Sequence, residues 1–565
     1  SIDSNDKVIV SGNYYDGVWF GSNYLSDYDD SDIFIATIEN FFSNGTGWDD
    51  AYRGGGYGED RVQAHAVTST GSVIIGGSID GSPQFGSTYL SAYSDTDGLV
   101  AQMSSSGTWA WAKQIGGAGG VDYSMATEGL SNGKVAIGGS FQGVADFGDM
   151  NITSNGDFDG FIAIYNDDGT IHNVQSYGYE GEQRIIQLQQ EESGALYAVG
   201  TMECISNNVY IFGKWVSCPN SSGEGNGLFI AKLDLDLNAD WVTGVGLEYG
   251  DGEIISFAEL SDGSLAMCGT HSDGDIEIGS FEEENSLEGV QQLICSKLSS
   301  TTGNAQWLSR VDMSDRYEEM WVRSLVVDSQ DNIVMTGNFI GTASFGSIST
   351  IASAGNEDTG DLFVASIDDS GDWNWAIAGG GQDGDTGSAI LIDSDGKYRI
   401  YGGMTGSAAI GNTMLTGSDS GATYPITATI TTNGAWSSAK YFDHSGNSGF
   451  AVTAESLTED LQVVWFVYNS QLTLGNSMLL GPNNGDFNNL GIGMYNSSLD
   501  RWVGTEEIVD LEESGVEGFM AGLDSSKEGY ITMSGYYSGG TNPFPGHDVI
   551  TDGSYNAFVL SYELD

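Results

Sequence analysis

The chain is poor in basic residues: 17 Lys and Arg stand against 79 Asp and Glu over 565 residues, a formal charge of −62. Such a surface repels a phosphate backbone and an anionic membrane face alike, so nucleic acid is excluded as a partner. Screening within about 8 Å or less weakens the self-repulsion in salt, so a saline or cation-rich exterior, halophilic or marine, is the natural setting. Proline is scarce as well, with 6 residues, while glycine reaches 83. With abundant Ser, Thr, Asn, Tyr and Val, that balance favours short strands and tight turns over helices. The sequence has no amphipathic helical stretch and no run of 18 apolar residues, so nothing in it predicts membrane insertion. Ser1 reads as the start of a processed or trimmed chain, with export signals or anchors lying outside it.

Catalytic vocabulary is thin too. The five histidines, His65, His172, His271, His444 and His547, are scattered with no metal-protease spacing. There is no G-x-S-x-G elbow and no P-loop, and Gly116-Gly117-Ala118-Gly119-Gly120 lacks the following helix that a phosphate cradle needs. No catalytic residue is assigned, and the expectation is a non-enzymatic protein.

What is present is a repeat. An aromatic or aliphatic residue followed by glycine recurs as Phe20-Gly21, Phe85-Gly86, Phe147-Gly148, Phe212-Gly213, Ile278-Gly279, Phe345-Gly346, Ile410-Gly411, Leu474-Gly475 and, with an inserted proline, Phe544-Pro545-Gly546. Successive first positions lie 62 to 70 residues apart, the mark of repeat architecture. The third copy shows the parts: a strand over Tyr123 to Gly129, an Asn132-Gly133 turn, an apolar strand Lys134 to Gly139, the Phe147-Gly148 excursion, a strand Gly160 to Ile164, a turn at Asp167-Asp168-Gly169 and a last strand from Ile171 to Ser176. That is a four-stranded meander with an extra loop between its second and third strands. Continuous apolar runs such as Val73-Ile74-Ile75 and Leu362-Phe363-Val364-Ala365 predict strands covered on both faces, as when sheets stack on one another.

The recurring tryptophan, glycine pair, apolar strand ending in glycine, Phe-Gly and Asp-x-Phe-x-Ala resemble the β-propeller repeats of bacterial and archaeal cell-surface and secreted proteins. The resemblance covers nearly the whole chain and implies an all-β propeller of eight to nine four-stranded blades at the cell exterior. It brings no catalytic motif. The expected repeats run over 1–60, 61–121, 122–182, 183–252, 253–319, 320–383, 384–447, 448–513 and 514–565 of one propeller. In the eighth, Gly491-Ile492-Gly493-Met494 stands in place of the usual third strand. Ser1 to Asp6 matches only the tail of a first strand, and the chain stops just after a third. The ends therefore either close a ring or pair with another subunit, which would give a polymer.

Four cysteines allow three pairings, and the local one joins Cys204 to Cys218 and Cys268 to Cys295, the latter pair on neighbouring strands. Disulfides would place the chain in an oxidising, extracellular compartment. Tryptophans recur before each last strand, as in Trp48, Trp109, Trp241, Trp307, Trp373, Trp436 and Trp502. A residue needed in nearly every repeat reads as a packing wedge between repeats ahead of a sugar platform. Asp234, Asp236, Asn238 and Asp240 alternate around one turn and are the candidate calcium ligands. Asn44, Asn151, Asn220 and Asn496 head glycosylation patterns. The expectation is an extracellular structural or adhesive protein whose partners are itself, as a filament or surface layer, or other surface proteins and glycans. A glycan-binding propeller is the alternative, and a polysaccharide hydrolase or lyase stands behind it.

Overall fold

The computed structural model describes residues 7–14, 18–20, 22–26, 31–38, 49–92, 96–117, 120–178, 181–190, 194–203, 208–217, 226–247, 252–272, 275–283, 290–315, 318–355, 359–417, 421–442, 449–456, 460–468, 472–474, 477–479, 489–507, 518–524, 530–538 and 555–563. The chain is all-β and is built from several four-stranded antiparallel sheets. In the second sheet Arg61–Val67, Val73–Ile79, Asp97–Met103 and Trp109–Ile115 pair in sequence order. The third repeats this with Tyr123–Gly129, Val135–Phe141, Asp159–Tyr165 and Ile171–Tyr177.

The same meander continues to the eighth sheet, where Asn489–Asn496 pairs as a regular third strand despite its Gly-Ile-Gly-Met sequence. The first sheet, Val8–Tyr14, Asp32–Ile38 and Asp50–Gly55, has no first strand among the described residues. The last, Gly518–Asp524, Tyr530–Ser538 and Tyr555–Glu563, has no fourth. These two end sheets come together: Val8–Tyr14 lies against Tyr555–Glu563.

Second and third strands are covered on both faces, because each sheet is sandwiched between neighbours. Every residue of Val73–Ile79, Asp97–Met103, Asp159–Tyr165 and Asp361–Ile367 is buried. Each fully buried Ile, Val or Phe there contributes roughly 1.5–3 kcal/mol. The first strands stack on one another, Tyr123–Gly129 against both Arg61–Val67 and Arg184–Gln190, and Asp385–Ile392 against both Glu319–Val327 and Gly449–Ser456.

Each described first strand also skips one residue in its pairing with the second, at Gln63, Met125, Ile186, Ile255, Arg323, Ser388, Val452 and Ala521. A β-bulge of this kind leaves the extra residue out of the ladder and re-aims its side chain. Gln63, Ile186 and Arg323 are accordingly exposed.

The Phe-Gly excursion is a two-stranded hairpin that reaches back to the preceding sheet. Gln84–Phe85 pairs with Gly54 and Gly55, Ile276–Ile278 with Val245 to Leu247, and Ser407–Ile410 with Gly379 to Gly381. Gly54 makes room for the Phe85 ring, which a Cβ there would meet. The tryptophans bind in the other direction. Trp111, Trp241, Trp307 and Trp375 donate Nε1–H to the carbonyls of Asp167, Ser300, Asp369 and Thr432 in the next sheet's last turn, at 2.9 to 3.1 Å. In that turn a left-handed glycine, such as Gly371 at φ 85°, lies flat against the indole. Of these, Trp111, Trp241 and Trp307 are each under a tenth exposed and Trp375 is half-buried, so these rings are joints between sheets and not open platforms.

Candidate functional site

The sheet-to-sheet joints carry the chain's most perturbed acids. Third strands open on Asp32, Asp97, Asp159 and Asp361, and Asp60, Asp122, Gln183 and Asp385 stand just before or at the start of the following first strands. One backbone bond sets each pair: the N–H of Asp60, Asp122, Gln183 and Asp385 donates to the carbonyl just before the third-strand aspartate, on Ser31, Thr96, Phe158 and Gly360. All eight side chains are buried.

The second acid of each pair is held on both sides. Asp60 accepts N–H from Gly56 at 2.8 Å and Asp80 at 3.2 Å, and Asp385 accepts from Gly381 at 2.6 Å and Thr405 at 2.9 Å. Asp122 accepts from Gln142 at 3.0 Å, while Asp97 accepts from the Gln114 amide. The two carboxyls converge on a glycine at the end of the fourth strand. A Cβ on Gly116 would lie 2.5 Å from Asp122 Oδ2 and 2.6 Å from Asp97 Oδ1. Gly55 occupies the same place over Asp32 and Asp60, and Gly380 over Asp361.

Burial drives these acids up. Asp60 rises to about 7 because its burial outweighs what its two N–H donors take back, with the negative charges of Asp32 and Asp80 adding a smaller push. Asp122 rises to about 7 by burial and its contact with Asp97. Asp385 rises to about 7 by burial and the charges of Asp361 and Asp383. Asp159 and Asp361 rise to about 6 by burial, each against N–H donors of its own hairpin loop. Two carboxyls in one dry site cannot both ionise cheaply, so a dyad of this kind holds one proton.

Raised carboxyl pairs are the signature expected of an acid–base centre. Here the same pair recurs at three joints, between the first and second, second and third, and sixth and seventh sheets, which marks it as part of the repeat. The sequence alone did not pair these residues. The signal was the Asp of Asp-x-Phe-x-Ala together with an acid a few residues after each glycine pair.

At the joint of the sixth and seventh sheets the dyad lies under a cleft of about 260 Å³ lined by Arg323, Asn338, Asp385, Thr386, Gly403 and Thr423, among others. Hydroxyls meet at its wall, Thr405 Oγ1 donating to Gly384 O at 2.8 Å and lying 2.9 Å from Thr423 Oγ1.

The acids expected to hold calcium make a turn. Asp234 Oδ1 accepts N–H from Asp236 at 2.9 Å and Asn238 at 2.8 Å, and the Asn238 amide donates to the same carboxylate. Leu237 sits in the left-handed region at φ 63°. Asp236 turns to His172, 3.2 Å away, and Asp240 is the residue skipped in the pairing of Asn226–Leu233 with Ala239–Leu247. The structure does not bring the four together, and among the described residues no three His, Cys, Asp or Glu side chains are grouped to hold a metal ion.

Cys268 and Cys295 are direct cross-strand partners and form a disulfide. Cys204 and Cys218 lie outside the described residues, as do Asn44 and Asn220. Asn151 is exposed at the start of a hairpin strand, whereas Asn496 ends a third strand with its Oδ1 accepting from Leu499 N–H and Ser498 Oγ.

No family model and no curated protein matches the chain. Solved structures align along most of its length at low identity. Sqt1 from Chaetomium thermophilum is 10% identical over 91% of this chain and 98% of its own, with a TM-score of 0.37. A eukaryotic initiation factor is 6% identical over 87% and 86%, at 0.41. Quinohemoprotein alcohol dehydrogenase from Comamonas testosteroni is 9% identical over 83% and 74%, at 0.35. Likeness at this level assigns no activity.

Proposed function

We propose that the stacked sheets close into an acidic β-propeller that serves as a rigid, non-enzymatic structural unit at the cell exterior and assembles with further copies of itself. The repetition of the buried dyads carries this reading. An active centre needs its raised acids at one place open to substrate, whereas these are buried at several equivalent joints. Closure is supported by the contact of Val8–Tyr14 with Tyr555–Glu563, which brings the two ends of the chain together. Assembly is supported by the end strands themselves, each paired along one edge only among the described residues. An unpaired edge is a template for a strand of another chain. The Cys268–Cys295 disulfide suits an oxidising exterior.

Electron microscopy of the purified chain over a range of salt and calcium concentrations tests both parts. The expected images are closed rings that associate into filaments or layers. Open arcs would overturn closure, and isolated rings under every condition would overturn assembly.

A further inference from the structure

Arg323 stands out by its position. Acids outnumber bases 79 to 17, and several described cations are taken up by carboxylates, Arg399 by Asp393, Lys297 by Asp262 and Asp369, Arg310 by Asp312 and Lys440 by Asp500, while Lys113, Lys134, Lys214 and Arg501 make no ion pair among the described residues. Arg323 has no ion-pair partner among the described residues. Its one hydrogen bond is a long one, Nε to Asn338 Oδ1 at 3.5 Å. It is also the skipped residue of its strand, and the seven others at that position are uncharged. The bulge pushes this guanidinium out of the ladder and onto the cleft between the sixth and seventh sheets.

The rest of the lining carries no aromatic ring and mixes glycine backbone with a few polar side chains. Asn338 offers an amide, Thr386 and Thr423 offer hydroxyls, and Gly403 leaves its stretch of wall without a side chain. Asp385 lies at the base, where an anion would meet repulsion if the acid were ionised. Its oxygens are turned to the N–H groups of Gly381 and Thr405, and burial raises it to about 7, so near neutrality about half of it is the uncharged acid.

We propose that this cleft binds an acidic sugar of single-ring size, with Arg323 gripping the carboxylate through its planar fork and Asn338, Thr386 and Thr423 taking the ring hydroxyls. A fork-to-fork pair fixes both position and orientation, which a neutral sugar cannot exploit. The chain's overall negative field opposes approach of the anion, but it is screened within about 8 Å at physiological salt, while the guanidinium acts in contact. This site stands apart from the assembly argument, since it uses neither end strand.

Titration calorimetry of the full chain at pH 6.5 in 0.15 M salt, with glucuronate and with glucose as its neutral counterpart, tests the proposal. Glucuronate binds and glucose does not. Arg323→Gln lowers glucuronate affinity at least tenfold, and Arg323→Lys restores only part of it, because a point charge replaces the fork. Arg323 is exposed, so these variants fold, and Asn338→Ala gives a second, smaller loss. Equal binding of the two sugars, absence of glucuronate binding, or an unchanged Arg323→Gln variant would each overturn it.

Discussion

Replacing Asp122 by Asn changes one carboxyl of the joint between the second and third sheets into an amide of the same shape. Oδ1 keeps its bond from Gln142 N–H, and an amide nitrogen in the place of Oδ2 donates to Asp97 across the dyad. In the native chain Asp122 binds its proton up to about pH 7, against 3.8 for an ordinary aspartate. Between those values the folded state carries a proton that the unfolded chain has released. Stability is therefore complete below about pH 4, falls as pH rises towards 7, and is level above it. A rise of about 3 units corresponds to on the order of 4 kcal/mol at this joint. The Asn variant has no proton to lose, so it is level across the window and gains about 2–4 kcal/mol over the native chain at pH 8.

A long repeat array need not unfold in one step, so the measurement is native-state hydrogen exchange at the joint itself. The Asp122 and Gln142 amides report directly, being bonded to Thr96 O and Asp122 Oδ1. After correction for intrinsic exchange, their protection should fall from pH 4.5 to 8 in the native chain and hold steady in Asp122→Asn. Parallel slopes in the two proteins, or easier opening of the variant at pH 8, would refute the shared proton. The chain supplies its own precedent in Gln183, which stands opposite Asp159 where the other joints have a second acid.

Four further perturbations test the packing. Trp307→Phe removes the 2.9 Å bond to Asp369 O and should cost about 1 kcal/mol. Gly371→Ala places a Cβ 2.6 Å from that indole at φ 85° and should cost about 1–3 kcal/mol, much of it recovered in the double variant with Trp307→Ala. Arg399→Met strands the buried Asp393 carboxylate, which the guanidinium meets at 2.9 Å, and should lower stability by about 3–5 kcal/mol in urea unfolding; adding Asp393→Leu should regain most of it. Reducing Cys268–Cys295 opens a crosslink spanning 27 residues and should lower resistance to denaturant by about 3–4 kcal/mol, and a Cys268→Ala, Cys295→Ala chain should lose that part of the response to reductant.

The strands were legible because burial on both faces writes an unbroken apolar run. Val73–Ile79 and Asp159–Tyr165 lie where such runs occur, and the cross-strand position of Cys268 and Cys295 followed from the same alignment. The apolar pattern also hid what mattered at the joints. Asp97 and Asp122 read as ordinary turn acids in a chain with 79 of them, since only the stacking of one sheet on the next brings residues 25 positions apart into one dry site. Arg323 left no trace in the pattern, because a bulge is visible only once the register is known. At Asp234, Asp236, Asn238 and Asp240 close spacing suggested a shared cation, and in the fold the turn itself engages the Asp234 carboxylate.

The backward-reaching hairpins and forward-reaching indoles also decide how such a molecule yields to force. Pulling one repeat away requires unpairing its hairpin from the sheet behind, as at Gly54–Phe85, and drawing an indole off the turn ahead, as at Trp111–Asp167. Tension applied to any sheet is therefore passed to both neighbours before a single strand peels. A chain joined this way gives in blocks of several repeats.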